Sequence, residues 1–289
     1  MCKNIVEKGN HTSPLLIYNR STERAIELRN KLGADEVEVI EDISKGAARA
    51  DVILICLSND EAVQQLMPAI VGAGVEGKLI VDCSTIHHET TEAIAKSVTD
   101  KGADFVAAPV FGAPAMADSG QLIALLAGPK LSVDRARPWF KGITARAEID
   151  LTDQPYGKAS KLKVLGNSFI MNMITQLAEA HVVAEKSGLG TDIVQQFVGE
   201  LFPGPYAAYS SRMLTGDYHK REEPLFAVEL ARKDVRHGQD LASTSNAKLT
   251  ALGVADEYLK QVIEQRGDKA DVAGIYGVAR QNAGLPFEN

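Results

Sequence analysis

The chain has 289 residues, 45% of them hydrophobic and 24% charged, with a formal net charge of −7. This is a normal soluble composition for one large or two ordinary domains, and the acidic balance without a basic run argues against nucleic acid as the main partner. No apolar stretch is long enough to span a bilayer and no basic-then-apolar leader opens the sequence, so neither membrane insertion nor secretion is expected.

In chain order, residues 3–9 read as the end of a helix and LLIY (15–18) as a strand. TERAIELRNKLG (22–33) reads as a helix closed by Gly33, and VEVI (37–40) as a short strand. DVILICLS (51–58) and KLIVDCS (78–84) are short and almost continuously apolar, as strands covered on both faces are. Helices are predicted over 60–73 and 88–102, and strands over 104–110 and 122–128. Strands alternating with helices argue for an α/β domain with a parallel, doubly wound sheet. Of the three cysteines, Cys2, Cys56 and Cys83, the last two fall inside predicted strands and read as small core residues. A reducing, cytoplasmic setting follows as the expectation.

From about residue 155 the pattern changes. KASKLKVLGNSFIMNMITQLAEAHVVAEKSG reads as one helix of roughly 28 residues, on the order of 40 Å long. Its middle is apolar nearly all round, which predicts burial. Further helices are predicted at 191–201, 205–214, 225–244, 247–265 and 270–283, with PFEN as a loose tail. The domains are therefore placed at 1–154, α/β, and 155–289, all α.

Four stretches carry chemistry. In YNRSTERA, the end of the second strand of a nucleotide-binding unit meets the adenosine ribose, where an acidic residue would bond the 2′-hydroxyl. Asn19, Arg20 and Ser21 stand there instead, and a guanidinium with a hydroxyl suits a 2′-phosphate, hence NADP. An Asn/Ser turn capping the next helix would use the same residues.

In GKASKLKVLGN, Lys163 and Asn167 are four apart and share a helix face, while Lys161 points elsewhere. A buried ammonium beside a carboxamide suits protonation of a substrate oxygen. A lysine snorkelling to solvent is the plain alternative. In APVFGAPAMADSGQL, a strand ends in a Pro/Gly turn, and backbone N–H groups near Gly112 suit a carboxylate; an ordinary turn fits too. In FAVELARKDVRHGQD, Lys233-Asp234 on an amphipathic helix reads first as a solvated face. The remaining histidines, His11, His87, His88, His181 and His219, show no metal spacing, and no metal is assigned.

Taken together these segments resemble the β-hydroxyacid dehydrogenase family, which includes 3-hydroxyisobutyrate dehydrogenases and glyoxylate and semialdehyde reductases. The resemblance runs nearly end to end. Members show a strand, then GxGxMGxxMAxNL, then VxNR; MCKNIVEKG matches the tail of that first helix. ICLSND (55–60) resembles the MLPDD turn, VDCST (81–85) the VDxST segment, and APVFGAPAMADSGQL the DAPVSGGxxxAxxGxL segment. GKASKLKVLGNSF resembles GxxxxxKxxNN, and FAVELARKD resembles FxxxLxxKD. The resemblance implies a Rossmann-type domain followed by an α-helical domain, joined by a long interdomain helix, with the site in the cleft between them. It implies Lys163 as the catalytic lysine with Asn167 as its partner. Leu57, Ser58 and Thr85 are implied as cofactor contacts, Lys233 as a cofactor-binding lysine, and Phe111, Gly112 and Ala113 as the substrate segment. It also implies a small-molecule substrate and a homodimer.

Three departures stand out. Phe111 replaces the family serine that helps hold a substrate carboxylate, and Ala113 the second glycine, so a larger or less polar carbonyl or imine becomes plausible. Gly166 replaces the first asparagine of NN and opens space. Finally, no strand and no glycine-rich turn precede Met1. The Rossmann-type sheet is therefore expected to be N-terminally truncated, by a shortened reading frame or an alternative start, and the chain as written to bind NADP(H) weakly. The leading expectation is an NADP(H)-dependent dehydrogenase or reductase. An imine reductase or reductive aminase on the same scaffold, and a non-catalytic dimeric binding protein, are the alternatives.

Overall fold

The structure, a computed structural model, describes residues 1–9, 11 and 14–289. The chain divides into two compact units, Met1–Lys163 and Val164–Asn289. The first opens with helix α1 (Cys2–Lys8), strand β1 (Leu15–Ile17), helix α2 (Thr22–Leu32), strand β2 (Val37–Val39) and helix α3 (Ile43–Arg49). Then come β3 (Val52–Ile55), α4 (Asp60–Gly72), β4 (Leu79–Asp82), α5 (His88–Thr99) and β5 (Asp104–Ala107). The unit closes with β6 (Val110–Phe111), α6 (Pro114–Ser119), β7 (Leu122–Gly128), α7 (Lys130–Ala136), β8 (Ala145–Thr152) and the start of α8 (Gly157–Ser187).

Local chemistry sets the helix starts. Asn59 caps α4, its Oδ1 accepting the Ala62 N–H at 2.9 Å, with Asp60 and Glu61 in the first turn where the helix dipole favours anions. Gly33 ends α2 at φ +108°, a backbone angle glycine takes without strain.

The larger sheet runs β3-β4-β5-β7-β6, with β8 on β7. Strands β3, β4 and β5 are parallel, and all four residues of β4 are buried. The sheet is mixed rather than parallel throughout, because β7 is antiparallel to β5 and β6. The connection from β6 to β7, residues 112–121, is shorter than the dozen or so residues a parallel crossover needs. Strands β5 and β6 lie in one register along β7, and Pro109, which has no N–H, separates them. Strand β8, not foreseen, returns parallel to β7.

Strands β1 and β2 form a separate parallel pair. Among the described residues no ladder joins β1 to β3. Both strands instead line an apolar groove of ≈ 210 Å³, with Leu15, Ile17, Val52 and Leu54 among its walls. Strand β3 is accordingly only half-buried over Val52–Leu54.

Cys83 is buried, as expected of a core residue, but Cys56 is exposed, since it lies just past the carboxyl end of β3.

The second unit holds the rest of α8, then α9 (Thr191–Leu201), α10 (Pro205–Leu214), α11 (Asp217–Lys220), α12 (Val228–Thr244), α13 (Thr250–Arg266) and α14 (Ile275–Asn282). Its core packs Met171, Ile174 and Leu177 of α8 with Val228 and Val235 of α12 and Leu259 of α13. Helix α8 is not buried all round. Leu165, Phe169 and Val183 lie on an exposed stripe, with Phe169 76% exposed. The C-terminal PFEN is docked rather than loose: Phe287 packs on this core, and Asn289 Nδ2 donates to Leu214 O at 2.9 Å.

Candidate active site

In a parallel sheet the strand ends carry loops that hold ligands. Here the carboxyl ends of β3 and β4 are stitched together. The Leu57 N–H donates to Ser84 Oγ at 2.9 Å, and the Ser84 N–H donates to Asp82 Oδ1 at 2.9 Å. The His87 N–H donates to Asp60 Oδ1 at 2.8 Å. These bonds fix the turn containing Leu57 and Ser58 beside the segment containing Thr85. Ser58 is exposed, while Leu57 and Thr85 are half-buried. Asp82 is fully enclosed, and burial pushes its carboxyl up to about 6 against the lowering effect of the Ser84 hydrogen bonds.

The end of β6 brings in the next group. Phe111 pairs with Ile123 of β7 and packs on the same cluster as Leu57, Ala159 and Leu162. Gly112 has φ +140°, and a Cβ there would meet Leu122 Cδ2 at 2.6 Å. Only glycine fits this bend. Ala113 follows as the residue capping α6. Lys163 Nζ stands over the Phe111 ring, 4.3 Å from its centroid. Lys163 is buried and does not snorkel to solvent, whereas Lys161 is exposed.

In the second unit, Asn167 Nδ2 donates to Asp234 Oδ2 at 2.6 Å. Lys233 Nζ lies 3.2 Å from Asp234 Oδ1. All three residues are buried, so the Lys233-Asp234 pair is not a solvated face. The buried positions of α12 include Val228, Ala231, Asp234, Val235 and Gly238. That helical spacing places Asp234 on the apolar stripe, and it is the signal that would have found it.

At the end of β1, Asn19, Arg20 and Ser21 are exposed. Asn19 Oδ1 accepts the Ser21 N–H at 2.9 Å, so the asparagine serves the turn that opens α2. A buried pair that the sequence did not signal lies elsewhere in the second unit. His181 Nε2 and Ser210 Oγ are 2.6 Å apart, and burial lowers the imidazole to about 4. Both residues are fully enclosed, so no substrate reaches them. Among the described residues no group of three His, Cys, Asp or Glu is placed to hold a metal.

Residues 1–153 match the NAD binding domain of 6-phosphogluconate dehydrogenase, and residues 157–279 match the NAD-binding domain of NADP-dependent 3-hydroxyisobutyrate dehydrogenase. A relative from Aspergillus ustus, "NADH-dependent oxidoreductase ucdB", is 36% identical over 288 residues, covering 99% of this chain and 97% of its own. The chain belongs to the β-hydroxyacid dehydrogenase family. As a β-hydroxyacid dehydrogenase relative it is an NAD(P)-dependent oxidoreductase. Its fold is shared with 3-hydroxyisobutyrate dehydrogenase (ygbJ) from Salmonella typhimurium, at TM-score 0.83 and 19% identity over 96% of this chain and 94% of that one. It is shared too with Psf3 in complex with NADP+ and 2-OPP, at TM-score 0.82 and 21% identity over the same shares. No helix among the described residues is long and apolar enough to cross a membrane.

For a family cofactor the residues fit at two places. The exposed Arg20 and Ser21 offer a cation and a hydroxyl past the end of β1, and the β3–β4 edge offers the tied turn of Leu57 and Ser58 beside Thr85. No glycine-rich turn for a pyrophosphate lies between a strand and a helix among the described residues.

Proposed function

We propose that the chain is an NADP(H)-dependent dehydrogenase or reductase acting on a small carbonyl or hydroxyl compound, with Lys163 as general acid in reduction and general base in oxidation. The observation that carries this is the buried Lys163 ammonium one helical turn before Asn167, itself hydrogen-bonded to buried Asp234. The nicotinamide, when bound, supplies or takes up the hydride. Lys163 holds a proton at Nζ and delivers it to the substrate oxygen. Asp234 accepts from the donor side of the Asn167 amide and so fixes the orientation of that side chain.

In this reading residues 1–154 bind the cofactor, through Asn19, Arg20, Ser21, Leu57, Ser58 and Thr85, with Lys233 a further cofactor-binding group. Residues 155–289 form the substrate and dimerisation domain, and Phe111, Gly112 and Ala113 border the substrate. NADP is preferred because Arg20 and Ser21 suit a 2′-phosphate. A homodimer is supported by the exposed apolar stripe of Leu165, Phe169 and Val183 together with Ile193 and Phe197 of α9. Three free cysteines support a reducing, cytoplasmic setting.

The test is oxidation of NADPH and of NADH in a panel of aldehydes, keto acids and cyclic imines, with wild type and Arg20→Ala. Turnover with NADPH of an aldehyde or keto acid, and a KM for NADPH that rises in Arg20→Ala more than that for NADH, supports the reading. Turnover confined to cyclic imines moves the assignment to imine reduction. Equal use of both cofactors by both proteins contradicts the NADP preference.

A further inference from the structure

We infer that Phe111 is the positioning residue for Lys163 and the selector for an uncharged, apolar carbonyl substrate; this rests on the role proposed for Lys163. The ammonium lies 4.3 Å from the ring centroid, well inside the range where a ring face attracts a cation. The ring is itself held. Phe111 is paired to Ile123 in β6 and packed on the cluster that includes Ala159 and Leu162 of α8, two turns or less before Lys163. The next residue, Gly112, turns the chain at φ +140°, where an added Cβ would meet Leu122 Cδ2 at 2.6 Å. Lys163 is buried, which strengthens the attraction.

Two consequences follow. A lysine side chain has four rotatable bonds, and a fixed aromatic face restricts the ammonium to one place. The same face also occupies one side of the ammonium with apolar surface. A substrate carboxylate is thereby kept from pairing on that side, while a neutral carbonyl oxygen needs only one N–H from the other.

The experiment uses the full chain with 13C at the lysine ε position, as wild type, F111L, F111Y and F111S, with K163R to assign the signal. In wild type the Lys163 ε-methylene protons lie upfield of other lysines, from the ring current, and F111L returns them to the ordinary position. In NADPH oxidation with pentanal, F111L loses roughly ten-fold in kcat at little change in the NADPH KM, and F111Y recovers most of the loss. Wild type favours pentanal over succinic semialdehyde, and F111S narrows or reverses that ratio. A wild-type lysine signal at the ordinary position overturns the inference whatever the activity. So does a kcat in F111L equal to wild type. A shifted signal in a protein that reduces none of the carbonyl compounds upholds the ring contact but overturns the redox role of Lys163 and, with it, the substrate selection by Phe111.

Discussion

Asn167 donates its amide to the buried carboxylate of Asp234 at 2.6 Å, across from α8 to α12 within the second unit. Lys233 approaches the other oxygen of the same carboxylate at 3.2 Å. One acidic group therefore holds two residues to which the proposed chemistry assigns different partners, substrate and cofactor.

Asp234→Ala should lower kcat by roughly ten- to a hundred-fold, the scale of a lost hydrogen bond to a charged group. It should also raise the cofactor KM, because Lys233 loses its partner. Asp234→Asn keeps the shape and removes the charge, so it should restore much of kcat but not the cofactor KM. Steady-state kinetics of both variants separate the two effects.

Asp82→Asn should stabilise the protein at neutral pH. The folded carboxyl is raised from 3.8 to about 6, so the folded state holds a proton that the unfolded state has released between those values. The benefit of that proton is present below pH 3.8 and lost as pH rises through 6. Asparagine keeps an acceptor for the Ser84 N–H and has no charge to bury. The variant's advantage should be near zero at pH 4 and about 2–3 kcal/mol at pH 8. Urea unfolding across that range measures it.

His181 acts with the opposite sign. Its folded imidazole is lowered from 6.5 to about 4, so the unfolded state binds the extra proton in that window. Stability from neutral His181 is full above pH 6.5 and declines as pH falls toward 4. The Asp82 and His181 slopes oppose each other there, so the histidine slope should emerge in the Asp82→Asn background. Proton NMR should show the His181 ring neutral at pH 5, and unfolding curves for Asp82→Asn with and without His181→Gln should diverge as the pH drops.

The sequence was most informative where a pattern reported a single local cause. The continuous apolar run at β4 followed from cover on both faces, whereas the equally apolar β3 is half-buried, and the end of α2 followed from Gly33. Lys163 and Asn167 were visible as a helix-face pair, although burial of the lysine was not, since a long side chain has two ways to lie. Strand β8 carries a readable alternation, Ala145, Ala147, Ile149 and Leu151 against Arg146, Glu148 and Asp150. The antiparallel turn of β7 depends on loop length and Pro109 rather than on strand composition. Cys56 and Phe169 are apolar residues left outside, and composition alone does not say which apolar residues those are.

Proton transfer by Lys163 is tested most directly by comparing wild type with Lys163→Ala in NADPH-dependent carbonyl reduction, alongside NADPH affinity by fluorescence titration. In Lys163→Ala kcat should be at least about a hundred-fold lower, with NADPH affinity unchanged within about two-fold, the scale of a lost general acid. Wild-type kcat in Lys163→Ala, with the cofactor still bound, would contradict that role.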